Sequence, residues 1–107
     1  MLQLSELGGT LQMTQRRGAG ISLARLLAAP VSVRLRQGGE RFQPDARRRR
    51  RTLKNLLHEA RVPPWLRDRL PLLYSGATLV YVPGIGIDAA YLASAQELGV
   101  EPSWHGP

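Results

Sequence analysis

The sequence predicts an α+β domain: a small mixed or antiparallel sheet, or a β-sandwich, carrying one main helix. Two observations point there. Apolar and polar residues alternate with a period of two around Leu2–Leu4, Thr10–Thr14 and Val31–Arg36, as strands require. Leu53, Leu56, Leu57 and Ala60 instead recur at i, i+3, i+4 and i+7, the apolar stripe of an amphipathic helix. A chain of 107 residues reads as one domain, residues 1–107, able to bury roughly 60–65% of its unfolded surface in a single core.

The elements follow in order. Leu2 and Leu4 alternate with polar neighbours, Gly8-Gly9 interrupts, and Leu11 and Met13 resume on one side, a hairpin pattern. Met1 is expected to be an added start residue, because the alternation is already under way at Leu2. Arg16-Arg17-Gly18-Ala19-Gly20 reads as a flexible connection. Ile21 to Leu27 suits a strand or a single helical turn, closed by Pro30. In Val31 to Arg36, Val31, Val33 and Leu35 are expected on an inner apolar face, and Ser32, Arg34 and Arg36 on an outer cationic one. Gly38-Gly39 then supplies a plain tight turn, or one whose backbone N–H groups meet an anion.

Arg47 to Arg51 are five consecutive arginines, whose mutual repulsion predicts a mobile loop until a polyanion orders it. Thr52 suits an N-cap, and the main helix is expected over 53–61, with Lys54, Asn55, His58 and Arg61 outside its stripe. Pro63 stops it; Pro64 opens a short second helix, 64–70, closed by Pro71. Leu72–Ser75, a turn at Gly76-Ala77 and Thr78–Val82 form a hairpin. Pro83-Gly84-Ile85-Gly86 turns the chain again, Ile87 begins a further strand or short helix, and 97–104 is expected as an edge strand.

The net charge of +7 is unevenly placed. Between Arg34 and Arg69 twelve basic residues face Glu40, Asp45, Glu59 and Asp68, a net of +8, while the remaining three basic and four acidic residues leave −1. Charge gathered in one third of the chain, interleaved with Gly-Gly, Phe42 and Trp65, is the footprint of a surface that meets a polyanion, nucleic acid first. An anionic membrane is disfavoured, because these cations do not line one long amphipathic helix. No run reaches 18 apolar residues and no leader pattern opens the chain, so a cytoplasmic location is expected.

Catalytic chemistry finds little support. Cysteine is absent, and His58 and His105 have no metal-ligand spacing, so neither a thiolate nor a zinc site is expected. The acids are scattered rather than paired, and Gly84-Ile85-Gly86 lacks the third glycine and the helix of a dinucleotide fingerprint. Binding chemistry remains: Arg34, Arg36, Arg41, Lys54, Arg61, Arg67 and Arg69 as groove-lining cations, with Arg47, Arg48, Arg49, Arg50 and Arg51 as a basic loop. The planar fork of arginine bridges phosphate oxygens in pairs. Clustered arginines with few base-reading amides suit double-stranded RNA, which is read through its backbone and wide minor groove. Phe42 and Trp65 are expected in the core rather than stacked on a base, and Asp68 is expected to orient Arg67 or Arg69.

At these residues the sequence resembles a known family. Val33-Arg34-Leu35-Arg36-Gln37-Gly38-Gly39-Glu40-Arg41-Phe42 is similar to the opening of the C-terminal domain of bacterial tRNA(Ile)-lysidine synthase. The resemblance continues through Leu53-Lys54-Asn55-Leu56-Leu57-His58-Glu59-Ala60, the stretch from Val62 to Tyr74, and Val82-Pro83-Gly84-Ile85-Gly86-Ile87-Asp88, and is densest over residues 31–88. It implies an α+β fold with a β-sandwich of unusual topology that grips the acceptor stem of a minor isoleucine tRNA. The parent enzyme it implies uses ATP with Mg and lysine to modify the wobble cytidine. Its Ser-Gly-Gly-x-Asp-Ser loop is not in these 107 residues, so the resemblance is to a non-catalytic appendage. The implied partners are that tRNA and the catalytic domain of the same polypeptide, with a homodimeric parent as one assembly. The basic positions that match are Arg34, Arg36, Arg41, Lys54, Arg67 and Arg69. Two other functions fit the residues alone: a freestanding, ribosome-associated RNA-binding protein, and a structural or oligomerisation tail whose arginines face acidic protein.

Overall fold

The central β-hairpin is buried on both faces, and the rest of the domain is arranged as the layers that cover it. The computed structural model describes residues 2–4 and 9–105. The strands are β1 (Leu2–Leu4), β2 (Gly9–Arg17), β3 (Ile21–Ser22), β4 (Val31–Arg34), β5 (Arg41–Phe42), β6 (Arg51–Thr52), β7 (Leu72–Ser75), β8 (Thr78–Val82), β9 (Gly86–Ile87) and β10 (Leu98–His105). The helices are α1 (Leu23–Leu26), α2 (Leu53–Glu59) and α3 (Pro64–Arg67), with a 3-10 turn at Ala89–Tyr91. One four-stranded sheet has the order β1-β2-β10-β3, a second β4-β7-β8-β9, and β5-β6 is a separate ribbon. Every pairing is antiparallel. The α+β sandwich expected from the sequence is therefore the fold.

The runs Leu72–Ser75 and Leu79–Val82 are buried throughout, as apolar strands covered on two sides must be. On one side Leu72, Tyr74, Leu79 and Val82 pack with Phe42 and with Leu53 and Leu57 of α2. On the other, Leu73, Val80 and Tyr81 pack with Leu11, Ile21, Leu26 and Val100 of the first sheet. A register shift opposite Leu73 and Tyr74, which pair with Tyr81 and Leu79, leaves Val80 as an extra residue of β8, a bulge in that strand. Trp104 packs against both.

The main helix begins where Thr52 accepts the Asn55 N–H on its hydroxyl (3.3 Å). It ends earlier than the expected 61. Arg61 takes φ +57, its N–H donates to the His58 carbonyl, and the Val62 N–H donates to that of Leu57. This is a Schellman closure with arginine at the left-handed position usually given to glycine. α3 likewise covers less than the expected 64–70: it stops at Arg67, the Arg69 N–H turns back to the Leu66 carbonyl (3.0 Å), and Leu70 folds inward to the core.

Four expectations need correction. Val31 and Leu35 are exposed, at 40% and 43%, and only Val33 of that apolar set packs on the core. The cause is position: β4 is the sheet's edge, paired with β7 alone, and its strand geometry ends at Arg34. Trp65 is 73% exposed rather than core, since a single helical turn at a corner can bury one side only. The 97–104 strand is an edge only in part, since among the described residues Glu101 to His105 pair with β2 alone but its beginning is covered on both sides. Gly99 and Val100 lie between β2 and β3, and Gly99 permits this because a Cβ there would stand 1.9 Å from the Ala19 carbonyl oxygen. Asp68 pairs with Arg36 rather than with Arg67 or Arg69. The turn expected at Gly8-Gly9 begins outside the described residues. Among the described residues no helix is long and apolar enough to cross a membrane.

Candidate nucleic-acid interface

The arginine run is the loop of the β5-β6 ribbon. Phe42 faces Arg51 and Arg41 faces Thr52 across it. Phe42, fully buried against α2, anchors the ribbon to the core. The loop between is held by its own polar groups. The Asp45 carboxylate accepts the Arg47 N–H (2.9 Å), the Asp45 carbonyl accepts the Arg48 N–H (3.1 Å), and the Gln43 amide donates to the Arg48 carbonyl (2.8 Å). At the base of the loop the Arg41 guanidinium donates to the Arg50 carbonyl (3.2 Å).

Two arginines of the run are neutralised in place. Arg47 pairs with Asp45 at 3.6 Å, and Arg51 with Glu59 of α2. The hydrogen bond from the Arg47 backbone holds the Asp45 carboxyl below the usual carboxylate range, and that from the Arg51 guanidinium does the same for Glu59. Arg41, Arg48, Arg49 and Arg50 are exposed and have no carboxylate partner within 4.0 Å among the described residues. With Arg47, Arg51, Thr52 and Asn55 they line a concavity of about 670 Å³.

A second concavity, of about 420 Å³, shares Arg41 and Arg50 as a common wall and is floored by Tyr74, Thr78 and Leu79. Arg34 lies over the Tyr74 ring, its guanidinium carbon 4.5 Å from the centroid, and donates to the Gly76 carbonyl (3.4 Å). Strand pairing sets this up: Arg34 faces Leu72 across β4-β7, so Tyr74 is its diagonal neighbour. Burial pushes the Tyr74 phenol up, Glu40 adds to that, and Arg34 opposes it. The Gly38-Gly39 turn is already engaged: the Gln37 and Gly38 N–H groups donate to the Glu40 carboxylate at 2.8 and 3.0 Å.

The fold thus brings Arg41 and Arg47 to Arg51 together, with Arg34 close by over Tyr74. It gives Arg36 and Arg67 internal roles. Arg36 is drawn in beside Asp68, and the Arg67 guanidinium donates to the Val62 carbonyl (2.8 Å), bracing the corner before α3. Lys54, Arg61 and Arg69 are exposed but line neither concavity. Asn55 and Tyr74 belong to the surface although the charge pattern did not select them. For Asn55 the available signal was its place one turn into a helix capped by Thr52. For Tyr74 it was the hairpin register. Among the described residues no group of three or more His, Asp or Glu side chains could hold a metal ion.

Fold and surface together define an α+β sandwich domain whose arginine-lined concavity sits at the start of its main helix. The chain belongs to the family described as the TilS substrate C-terminal domain, which matches residues 31–104. It is 46% identical over 104 residues to a tRNA(Ile)-lysidine synthase of Nitrosomonas europaea, covering 97% of this chain and 23% of that protein. To the tRNA(Ile)-lysidine synthase of Coxiella burnetii it is 42% identical over 91 residues, covering 85% of this chain and 20% of the relative. The chain therefore spans about a quarter or less of these relatives' length. A solved structure described as the crystal structure of TILS C-terminal domain shares the fold, with a TM-score of 0.70 over 98% of this chain and 88% of that one at 24% identity.

Proposed function

We propose that this domain is the tRNA-gripping, non-catalytic module of a tRNA(Ile)-lysidine synthase, and that it binds the acceptor-stem region of a minor isoleucine tRNA. ATP with Mg and lysine would be handled by the catalytic domain of the same cytoplasmic polypeptide. The observation that carries the reading is the pair of adjoining concavities that share Arg41 and Arg50, one of them continued by the unneutralised Arg48 and Arg49. An A-form stem presents phosphates and 2′-hydroxyls across a wide, shallow minor groove, and forked guanidinium groups match both. Binding would be driven by release of counterions, with roughly 0.7–0.9 ions per phosphate contact appearing in the salt slope.

The test is titration of the chain with isoleucine tRNA and with elongator methionine tRNA over a salt series. Steep salt dependence is expected. Replacing Arg48, Arg49 and Arg50 together by alanine should weaken binding of both tRNAs and flatten the slope by about one per contact removed. A slope unaltered by the triple replacement, or no binding at low salt, would overturn the proposal.

A further inference from the structure

A third concavity, of about 420 Å³, lies at the other end of α2 and is lined largely by apolar groups, among them Leu66, Leu70, Tyr81 and Trp104, with Arg61 at its edge. Its volume is at the small end of the roughly 300–1,000 Å³ typical of ligand sites, enough for one flat ring system. Trp104 is a preset wall. It packs against both cores, and its ring rests on Gly9, where any Cβ would fall 2.3 Å from the ring edge. Arg61 is the one non-glycine residue with positive φ among the described residues. A left-handed arginine is costlier than glycine at that helix end, and strain of this kind collects at functional positions.

The pocket and the arginine concavity lie at opposite ends of α2. Lys54 and His58 are exposed one turn apart on α2, and Arg61 follows beyond its end. Seven residues of helix span about 10 Å, close to three stacked nucleotides at about 3.4 Å each. A strand with its phosphates on the arginine loop therefore reaches the pocket within a few nucleotides.

We infer that this pocket receives one unpaired nucleobase from the RNA, stacked against Trp104, with the Arg61 guanidinium on the adjoining phosphate; the inference rests on the RNA-binding reading above. A duplex keeps its bases stacked inside, so the ligand comes from a single-stranded end or bulge, where bases splay onto aromatic side chains.

The experiment uses Trp65→Phe, which leaves Trp104 as the sole tryptophan, and a short RNA hairpin that is either blunt or extended by unpaired 3′ nucleotides. The extended hairpin should quench Trp104 fluorescence and bind about tenfold more tightly than the blunt one. Ala60→Phe, at an exposed position on the pocket wall, should abolish that difference and leave blunt-hairpin affinity unchanged. Equal binding of both hairpins with a silent Trp104 overturns the pocket assignment while the cationic surface stands. Binding of neither overturns both. A Trp104 that responds to the catalytic part of the polypeptide and not to RNA gives the pocket to a protein segment and also overturns the inference.

Discussion

Arg36 leaves β4 and turns back toward α3, where its Nε lies 3.7 Å from Asp68 Oδ1. The two ends of the pair differ: the arginine side chain is 20% exposed and the aspartate 78%. One Arg36 nitrogen, Nη1, is buried without a hydrogen-bond partner among the described residues. Because Asp68 stands in water, Asp68→Asn should cost no more than about 1 kcal/mol. Arg36→Ala should cost more, since it also removes a side chain that is only 20% exposed, aliphatic stem included. Denaturant midpoints of the two variants check the order; an equal loss would mean that the ion pair, rather than the stem, holds α3 in place.

The Arg51–Glu59 pair makes stability depend on pH. The Arg51 guanidinium holds the Glu59 carboxyl down, and the carboxylate raises Arg51 in return. A carboxyl depressed in the folded state contributes stability that is complete above its unfolded value, near 4.3, and that disappears as pH falls through the lower folded value. Asp45 and Glu97 are depressed too, chiefly by the Arg47 backbone N–H and the Ser22 hydroxyl. The thermal midpoint should therefore drop in acid, and Glu59→Gln should lower the neutral-pH midpoint while making the acid drop shallower. A parallel curve for Glu59→Gln would remove Glu59 from this account.

Phe42 and Trp65 show where the sequence could be read and where it could not. Both are large aromatics in the basic third of the chain, and both looked like core. Phe42 is fully buried because β5 places it between α2 and β8. Trp65 is not, because α3 is a single turn, Pro64–Arg67, and Leu70 takes the inward place. Local signals served well wherever one element settles the answer: the helix stripe, the Thr52 cap and the 72–82 hairpin. They failed where a long-range partner decides, as for Asp68 with Arg36 or the beginning of β10 between β2 and β3. The arginine cluster was legible as charge, but its division into neutralised and unneutralised members depends on Glu59 arriving from another element. Phe42→Ala should cost roughly 3–5 kcal/mol, and Trp65→Ala less than about 0.5 kcal/mol. Chemical denaturation of both separates a core aromatic from a surface one.

Glu40 is the one acid among the groups that form the second concavity, and its carboxylate occupies the backbone N–H groups of Gln37 and Gly38. Paired N–H groups in a glycine turn of this kind bind anions generally. Glu40 therefore already satisfies, with the chain's own charge, the two N–H groups of the turn that precedes Arg41. Glu40→Gln removes one negative charge from a cationic surface and weakens the competition for those N–H groups. RNA affinity at low salt should rise several-fold, and the gain should shrink as salt screens the surface. The same substitution should loosen the turn slightly, seen as faster hydrogen exchange at Gln37 and Gly38. Unchanged exchange with unchanged affinity would show that Glu40 neither closes the turn nor competes with phosphate. Faster exchange with weaker binding would mean that the closed turn shapes the concavity for RNA instead of guarding it.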